Sequence, residues 1–413
     1  MPRIRARTNR FGVAAAIVGL ALGVAACSSG SPSGNGGTLS VGSILDETGP
    51  LNAYGIPMQE ATRLAVDDID KNGGVLGKQL KLNDLDSQSD IAKYTVLARQ
   101  ITSDSSTVVV QGGITSASRE AIRPIFDSAQ LLYFYNVLYE GGVCDKDTFV
   151  TGVTPTQQLE PLLKWAADNG KKKWYVLAAN YNYGQISAQW ATKLAGQYGA
   201  TIVGGPTFFD LTVSDFTSEL PKIQASGADA IVSFLVGGAH INFYKQWAAT
   251  GLNKTTTIVS TSFGFGSEQT VLGSAAAGIL AAYPYFQQLD SPASTRLKNA
   301  WQAAGYKDVV TPGAEATWAG WHLWAEAVNK TGSTDRNKVI ATLEKKFTYD
   351  SAAGTYTIDP GSHHVLVPMR LWKDDGNGGF QMVSLLNGAA PPTFEQSKCD
   401  LVKNPGLNQQ FTP

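Results

Sequence analysis

The sequence predicts an α/β protein built on parallel sheets, and three observations predict it. Short apolar runs rich in β-branched residues alternate with stretches whose apolar residues recur at helical spacing. Strand runs of this kind, separated by helices, imply βαβ units with strands covered on both faces. The chain has 413 residues and 43 glycines, enough for about two domains of ordinary size and for many tight turns.

The first segment is of another kind. Arg3, Arg5, Arg7 and Arg10 open the chain with no acid among them, and residues 11–26 are apolar or glycine. That run is shorter than the roughly 20 apolar residues of a membrane-spanning helix; it reads as the core of a secretory signal. Val24-Ala25-Ala26-Cys27 resembles the lipobox of bacterial lipoproteins, which makes Cys27 the expected lipidation site. Residues 28–37 are Ser, Gly, Pro and Asn, the composition of a flexible tether. Residues 1–26 are therefore expected as a signal peptide and 27–38 as lipidated cysteine and tether. The chain would then sit outside the cytoplasmic membrane of a bacterium, anchored to it by lipid.

Thr38–Leu45 reads as the first strand, and a loop follows over 46–55. Met58, Ala61, Leu64, Ala65 and Ile69 mark a helix that Asn72-Gly73-Gly74 ends. Gln79–Leu85 is the next strand, and Thr107–Gln111 is another, closed by Gly112-Gly113. Trp174–Ala179, Ala200–Gly204, Ala230–Leu235 and Thr256–Ser260 repeat the theme, with helical stretches between. No period of 20–50 residues appears, which excludes a solenoid. The formal charge is −1, and would be −5 without the four N-terminal arginines. So mild an acidic balance argues against nucleic acid as a partner. Apart from Cys27 the only cysteines are Cys144 and Cys399. An even pair in an exported chain points to one disulfide, with two separate thiols as the alternative.

In open α/β sheets ligands bind beyond the carboxyl ends of the strands. Four such loops carry suitable chemistry. Gly112–Ser118 holds Thr115 and Ser116, whose hydroxyls and backbone N–H groups open a helix and can grip a carbonyl or carboxylate oxygen. Plain N-capping by Ser116 or Ser118 is the simpler alternative. Tyr133–Tyr139 offers rings that could wall a pocket or fill a core. Tyr181-Asn182-Tyr183-Gly184 places a tyrosine able to stack on a small ligand and bond it. Val236-Gly237-Gly238 allows backbone to approach a ligand or simply makes a tight turn.

Several motifs in order resemble the Leu/Ile/Val-binding class of periplasmic binding proteins. Thr48-Gly49-Pro50 with Ala53-Tyr54-Gly55 is similar to that class's first loop, and Asn72–Gly77 to its signature turn. Thr115–Arg119 followed by Tyr139-Glu140-Gly141 is similar to the branch that binds urea and short-chain amides. So are Tyr285-Phe286 with Asp290–Ala293, Ile358-Asp359-Pro360 with His363-His364, and Gly379–Val383. The likeness spans about Leu39 to Val383. It implies a type I periplasmic binding fold: two Rossmann-like lobes with parallel-core sheets joined by a hinge of three crossings. The crossings are expected near Gly152-Val153, Tyr283-Pro284 and Asp359-Pro360. Lobe 1 would be 39–152 plus 285–359, lobe 2 would be 153–284 plus 360–386, and 387–413 an extended tail. If Cys399 bonds Cys144, that tail is strapped to lobe 1 near the hinge.

The resemblance also implies ligand contacts from Ser116, Tyr135, Val137, Tyr183 and Gly237; Thr115 and Tyr139 join them from the candidate loops, and no cofactor or metal is expected. The implied role is the solute-binding component of an ABC importer, with the permease as partner and urea or a short amide favoured as ligand. Tyr183-Gly184 resembles the branched-chain amino-acid binders instead, so an amino acid is the alternative. However, 261–264 hold no acid to pair an α-ammonium, and a buried unpaired ammonium is costly; Glu268 is the nearest acid in sequence. A ligand sensor is a further alternative. An amide hydrolase is disfavoured, since no nucleophile elbow, P-loop or His-Glu-x-x-His occurs. His363 and His364 are adjacent and would point apart on a strand, His322 reads as packed or surface-exposed, and Arg119 and Glu120 read as helix-face charges.

Overall fold

The computed structural model describes residues 37–413; the expected signal and Cys27 lie outside them. The first lobe begins with β1 (Thr38–Leu45), α1 (Asn52–Lys71), β2 (Gln79–Asp86), α2 (Ile91–Ser103), β3 (Thr107–Gly112), α3 (Ser116–Ser128) and β4 (Leu132–Tyr135). Two short strands follow, β5 (Val143–Asp145) and β6 (Thr148–Val150). Five of these strands form a parallel sheet in the order β2-β1-β3-β4-β6. Every residue of β4 is buried, as continuous apolar strands between helical layers require.

The chain crosses into the second lobe through α4 (Leu159–Asp168), β7 (Lys173–Ala179), α5 (Asn182–Tyr198), β8 (Thr201–Phe209) and α6 (Leu220–Ser226). It continues with β9 (Ala230–Phe234), α7 (Gly237–Ala249), β10 (Thr257–Ser260), α8 (Glu268–Leu272) and β11 (Leu280–Tyr283). The parallel order is β8-β7-β9-β10-β11. β8 runs five residues past the apolar stretch ending at Gly204 that marks it in the sequence. It is an edge strand and half-exposed, so its far half carries no continuous apolar signal.

α9 (Pro292–Ala303), α10 (Pro312–Thr331) and α11 (Arg336–Leu343) return to the first lobe, where α10 packs along α1. Trp321 of α10 is fully buried and donates to Thr62 Oγ1 at 3.2 Å. The hairpin β12 (Thr348–Ser351) and β13 (Gly354–Ile358) leads into β14 (Val365–Asp374) and β15 (Phe380–Ala390). These four strands add an antiparallel flank to the second sheet, giving nine strands.

The chain leaves the first sheet through residues 151–158 after β6 and the second through residues 284–291 after β11. Residues 359–364, where a third crossing was expected, link the paired strands β13 and β14 within the second sheet. The end of β6 touches that link: Val150 N–H donates to His363 O at 2.9 Å, and Val150 bridges His364. His363 does not lie on a strand as expected; it takes φ +60°, stacks on Phe149 at 4.2 Å between centroids and turns the chain into β14.

The tail differs from the extended segment expected. Asn387–Ala390 belong to β15, α12 (Thr393–Lys398) follows, and β16 (Asn408–Gln410) pairs with β5. Phe394 and Leu401 are buried, which gives the tail a core contact that its Pro, Gln and Asn content hides. Cys144 and Cys399 form a disulfide.

Candidate ligand-binding site

A narrow cleft lies between the lobes at the carboxyl ends of their strands. The first lobe supplies Tyr54, Ile114, Thr115, Ser116, Val137 and Leu138. The second supplies Tyr181, Tyr183, Val236, Ser262 and Phe265. The lobes touch around it. Ser267 N–H donates to Ala53 O at 3.2 Å, Gly237 N–H to the Tyr54 hydroxyl at 3.4 Å, and Trp190 Nε1 to Glu140 O at 3.0 Å.

α3 begins at the cleft. Thr115 is its N-cap, with extended backbone and a hydroxyl accepting from Ser118 N–H at 3.0 Å. Gly112 has φ +137°, and a Cβ there would lie 2.2 Å from Ile44 O. Only glycine lets the chain leave β3 over β1 and bring Thr115 and Ser116 to the wall. The N–H groups of the first helical turn have no partner within the helix, so this end can meet a ligand oxygen. On the opposite wall Tyr183 opens α5 and its hydroxyl lies 2.7 Å from Thr261 Oγ1. Ser262 donates its proton to Leu235 O at 2.6 Å.

Thr115, Ser116, Val137 and Tyr183 thus meet in one cavity; Tyr135, Tyr139 and Gly237 do not line it. Tyr135 is fully buried beneath the wall, where its hydroxyl donates to Ile114 O at 2.9 Å and fixes the backbone that does line it. Tyr139 points toward the hinge. Its hydroxyl accepts from Val143 N–H at 3.1 Å and bonds His364 Nε2, while the His364 Nδ1 faces Ser362 O at 2.8 Å. Gly237 sits in the turn after Val236 with φ +67° and spends its N–H on Tyr54.

Arg119 departs most from expectation. Instead of a solvated helix-face charge, it is fully buried and forms a 2.8 Å ion pair with Glu140 Oε1. It also bonds Glu120 at 2.9 Å and lies over the rings of Tyr135 and Tyr139 at 5.1 and 4.6 Å. Burial opposes its charge, but Glu140 and Glu120 hold the guanidinium even above its usual range. Glu140 also accepts from the Ser116 hydroxyl.

Of the other wall residues, Ile114, Leu138, Tyr181 and Val236 lie in the four candidate loops and Tyr54 in the first-loop motif without having been named as contacts, and Ser262 and Phe265 were passed over. Ser262 and Phe265 follow β10 directly, so the rule that ligands sit past strand ends could have found them. Glu268, the nearest acid in sequence, is fully buried behind the wall. Burial pushes its carboxyl up to about 8, although it accepts from Gly266 N–H at 3.0 Å. Its Oε1 lies 3.8 Å from His240 Nε2, and among the described residues neither atom has a hydrogen-bond partner. Burial likewise pushes His240 down to about 4.

A family model described as periplasmic binding protein matches residues 38–378. A Leu/Ile/Val-binding protein homolog of Brucella melitensis is 24% identical over 285 residues, covering 67% of this chain and 73% of its own. Among solved structures, a solute-binding protein of an ABC transporter from Rhodopseudomonas palustris, in complex with 3,4-dihydroxybenzoic acid, superimposes with a TM-score of 0.75. It is 23% identical and covers 86% of this chain and 99% of its own. A leucine-binding protein from Thermotoga maritima gives a TM-score of 0.74 at 19% identity, over 84% of this chain and 99% of its own. These structures share the two-lobed fold.

Proposed function

This chain belongs to the periplasmic binding protein family, and from that premise we propose that it captures a small neutral solute, urea or a short-chain amide, for an ABC importer. The observation that carries the ligand class is the wall itself. No residue lining the cavity is ionised, and its aromatic and aliphatic groups are interrupted only by hydroxyls and backbone. Glu268 offers no counter-charge to an ammonium, because it stands behind the wall and stays largely protonated near neutral pH. The solute would touch both lobes when they are closed and one when they are open, so it stabilises closure, the form a permease would read. Lipid anchoring through Cys27 would keep the protein beside that permease.

A second reading has one observation in its favour. The free N–H groups at the start of α3 suit a carboxylate, and the relatives and neighbours are described with leucine, related amino acids or aromatic acids. Thermal unfolding of the purified protein separates the two. With urea, acetamide and propionamide set against leucine, isoleucine, valine and benzoate, the amide reading predicts stabilisation of about 2.7 kcal/mol by an amide at a hundredfold excess over its Kd. Stabilisation by the amino acids or benzoate alone overturns it.

A further inference from the structure

We infer that Glu140 is a positioning residue that fixes the hydrogen-bonding sense of the cavity, so that the ligand has to present N–H groups to serine oxygens. This rests on the cleft being the binding site, as proposed above. A serine hydroxyl has one proton to give and two lone pairs to offer. At Ser116 the proton goes to Glu140 Oε2. Glu140 cannot return one, because its other oxygen is charge-paired with the buried Arg119 at 2.8 Å and accepts from Gln410 as well. One Ser116 lone pair faces Arg119 Nη1 at 3.4 Å, which leaves the other for the cavity. Ser262, on the opposite lobe, has spent its proton on Leu235 O at 2.6 Å; Ser260 Oγ at 3.4 Å and His240 Nδ1 at 3.5 Å also face its oxygen, which can meet the cavity only as an acceptor.

Two hydroxyls on facing walls therefore present lone pairs only. An –NH₂ group has two protons to give and suits them, whereas a carboxylate oxygen meets lone pair with lone pair. The complementary carbonyl oxygen finds its donors among the free N–H groups at the start of α3. Gln410 extends the device to the tail. Its Nε2 also donates to Gly141 O at 3.0 Å, and it stands on β16, paired with β5, which carries Cys144. The tail thus holds Glu140 in place, and Glu140 holds Ser116.

Two measurements test this. Calorimetric titration with acetone, acetamide and urea varies N–H count at nearly constant size. The wild type is expected to favour acetamide or urea over acetone by about tenfold or more, the value of hydrogen bonds in a dry site. In Glu140→Gln the amide can donate to Ser116 Oγ and free its proton, so the preference should shrink by about tenfold while acetone binding changes little. A preference unchanged in Glu140→Gln, or absent from the wild type while acetone binds, overturns the inference. Neutron diffraction of the perdeuterated wild type reads the same feature without any ligand, and serves if the variant does not fold. A Ser116 deuteron on the line to Glu140 supports the inference, and one pointing into the cleft overturns it. If none of the three compounds binds but the deuteron faces Glu140, the amide reading of the function falls and the polarity of Ser116 stands.

Discussion

Ser116 has two loads, one on Glu140 and one on the cavity, and its removal separates them. Ser116→Ala should weaken acetamide binding about five- to tenfold, since one hydrogen bond in a dry site is lost. The unliganded protein should lose about 1 kcal/mol or less, because Glu140 keeps Arg119 and Gln410. Titration and chemical denaturation check both. Glu268 gives a pH signature. Its folded pKa of about 8 lies above the ordinary 4.5, so the folded state holds a proton that the unfolded state releases between these values. Stability drawn from it is fully present below about pH 4.5 and is lost as pH rises toward 8. His240, depressed to about 4, has the opposite slope, but only below its ordinary 6.5. Between pH 6.5 and 8 the wild type should therefore lose stability that Glu268→Gln retains; parallel curves would show that Glu268 is not protonated in the fold. The sequence showed Ser116 and Tyr183 because both stand at strand ends. It hid Arg119, since Arg beside Glu on a helix looks solvated, and nothing local reveals that Glu140 of the next loop folds over it.

At the scale of elements, the strands that carry the cleft are legible because they are largely apolar, as in Val176–Ala179 and Ala230–Phe234, all buried. β8 is legible only as far as Gly204 and β15 is not, because each is an edge with exposed residues and no period that a short window resolves. Aromatic residues in loops were ambiguous for another reason. Tyr135 and Tyr183 both stand in aromatic segments near strand ends, and only packing decides that one supports the wall and the other forms it. The approach of α5 to β7 is set by Gly184, where a Cβ would lie 2.0 Å from Ala179 O. Gly184→Ala should push the helix start outward, carry Tyr183 off the wall and cost about 1–3 kcal/mol. The expected result is a lower unfolding midpoint together with weakened ligand binding. Unchanged binding would detach Tyr183 from the site.

Over the whole molecule the two parallel-core sheets are those the resemblance implied, and the tail is what only the structure explains. The disulfide closes a separation of 255 residues, and cross-links of long loops commonly contribute about 2–5 kcal/mol. The double variant Cys144→Ser with Cys399→Ser should lose about that much stability. It should also bind acetamide more weakly than wild type, because β16 and Gln410 are no longer held against Glu140. A stability loss with unchanged affinity would confine the tail to a structural role. The pairing of two cysteines could be read from their number; the path from Cys399 through β16 to Ser116 could not, since it depends on contacts among residues more than 250 positions apart.

A small neutral N–H donor held between Ser116 and Ser262 with the lobes closed should be visible in a crystal structure of the protein grown with acetamide. Planar ligand density is expected between the two serine Oγ atoms, with the amide nitrogen toward them and its oxygen at the start of α3. Density in which a carboxylate faces Ser116, or a cleft that stays empty at saturating acetamide, would contradict it.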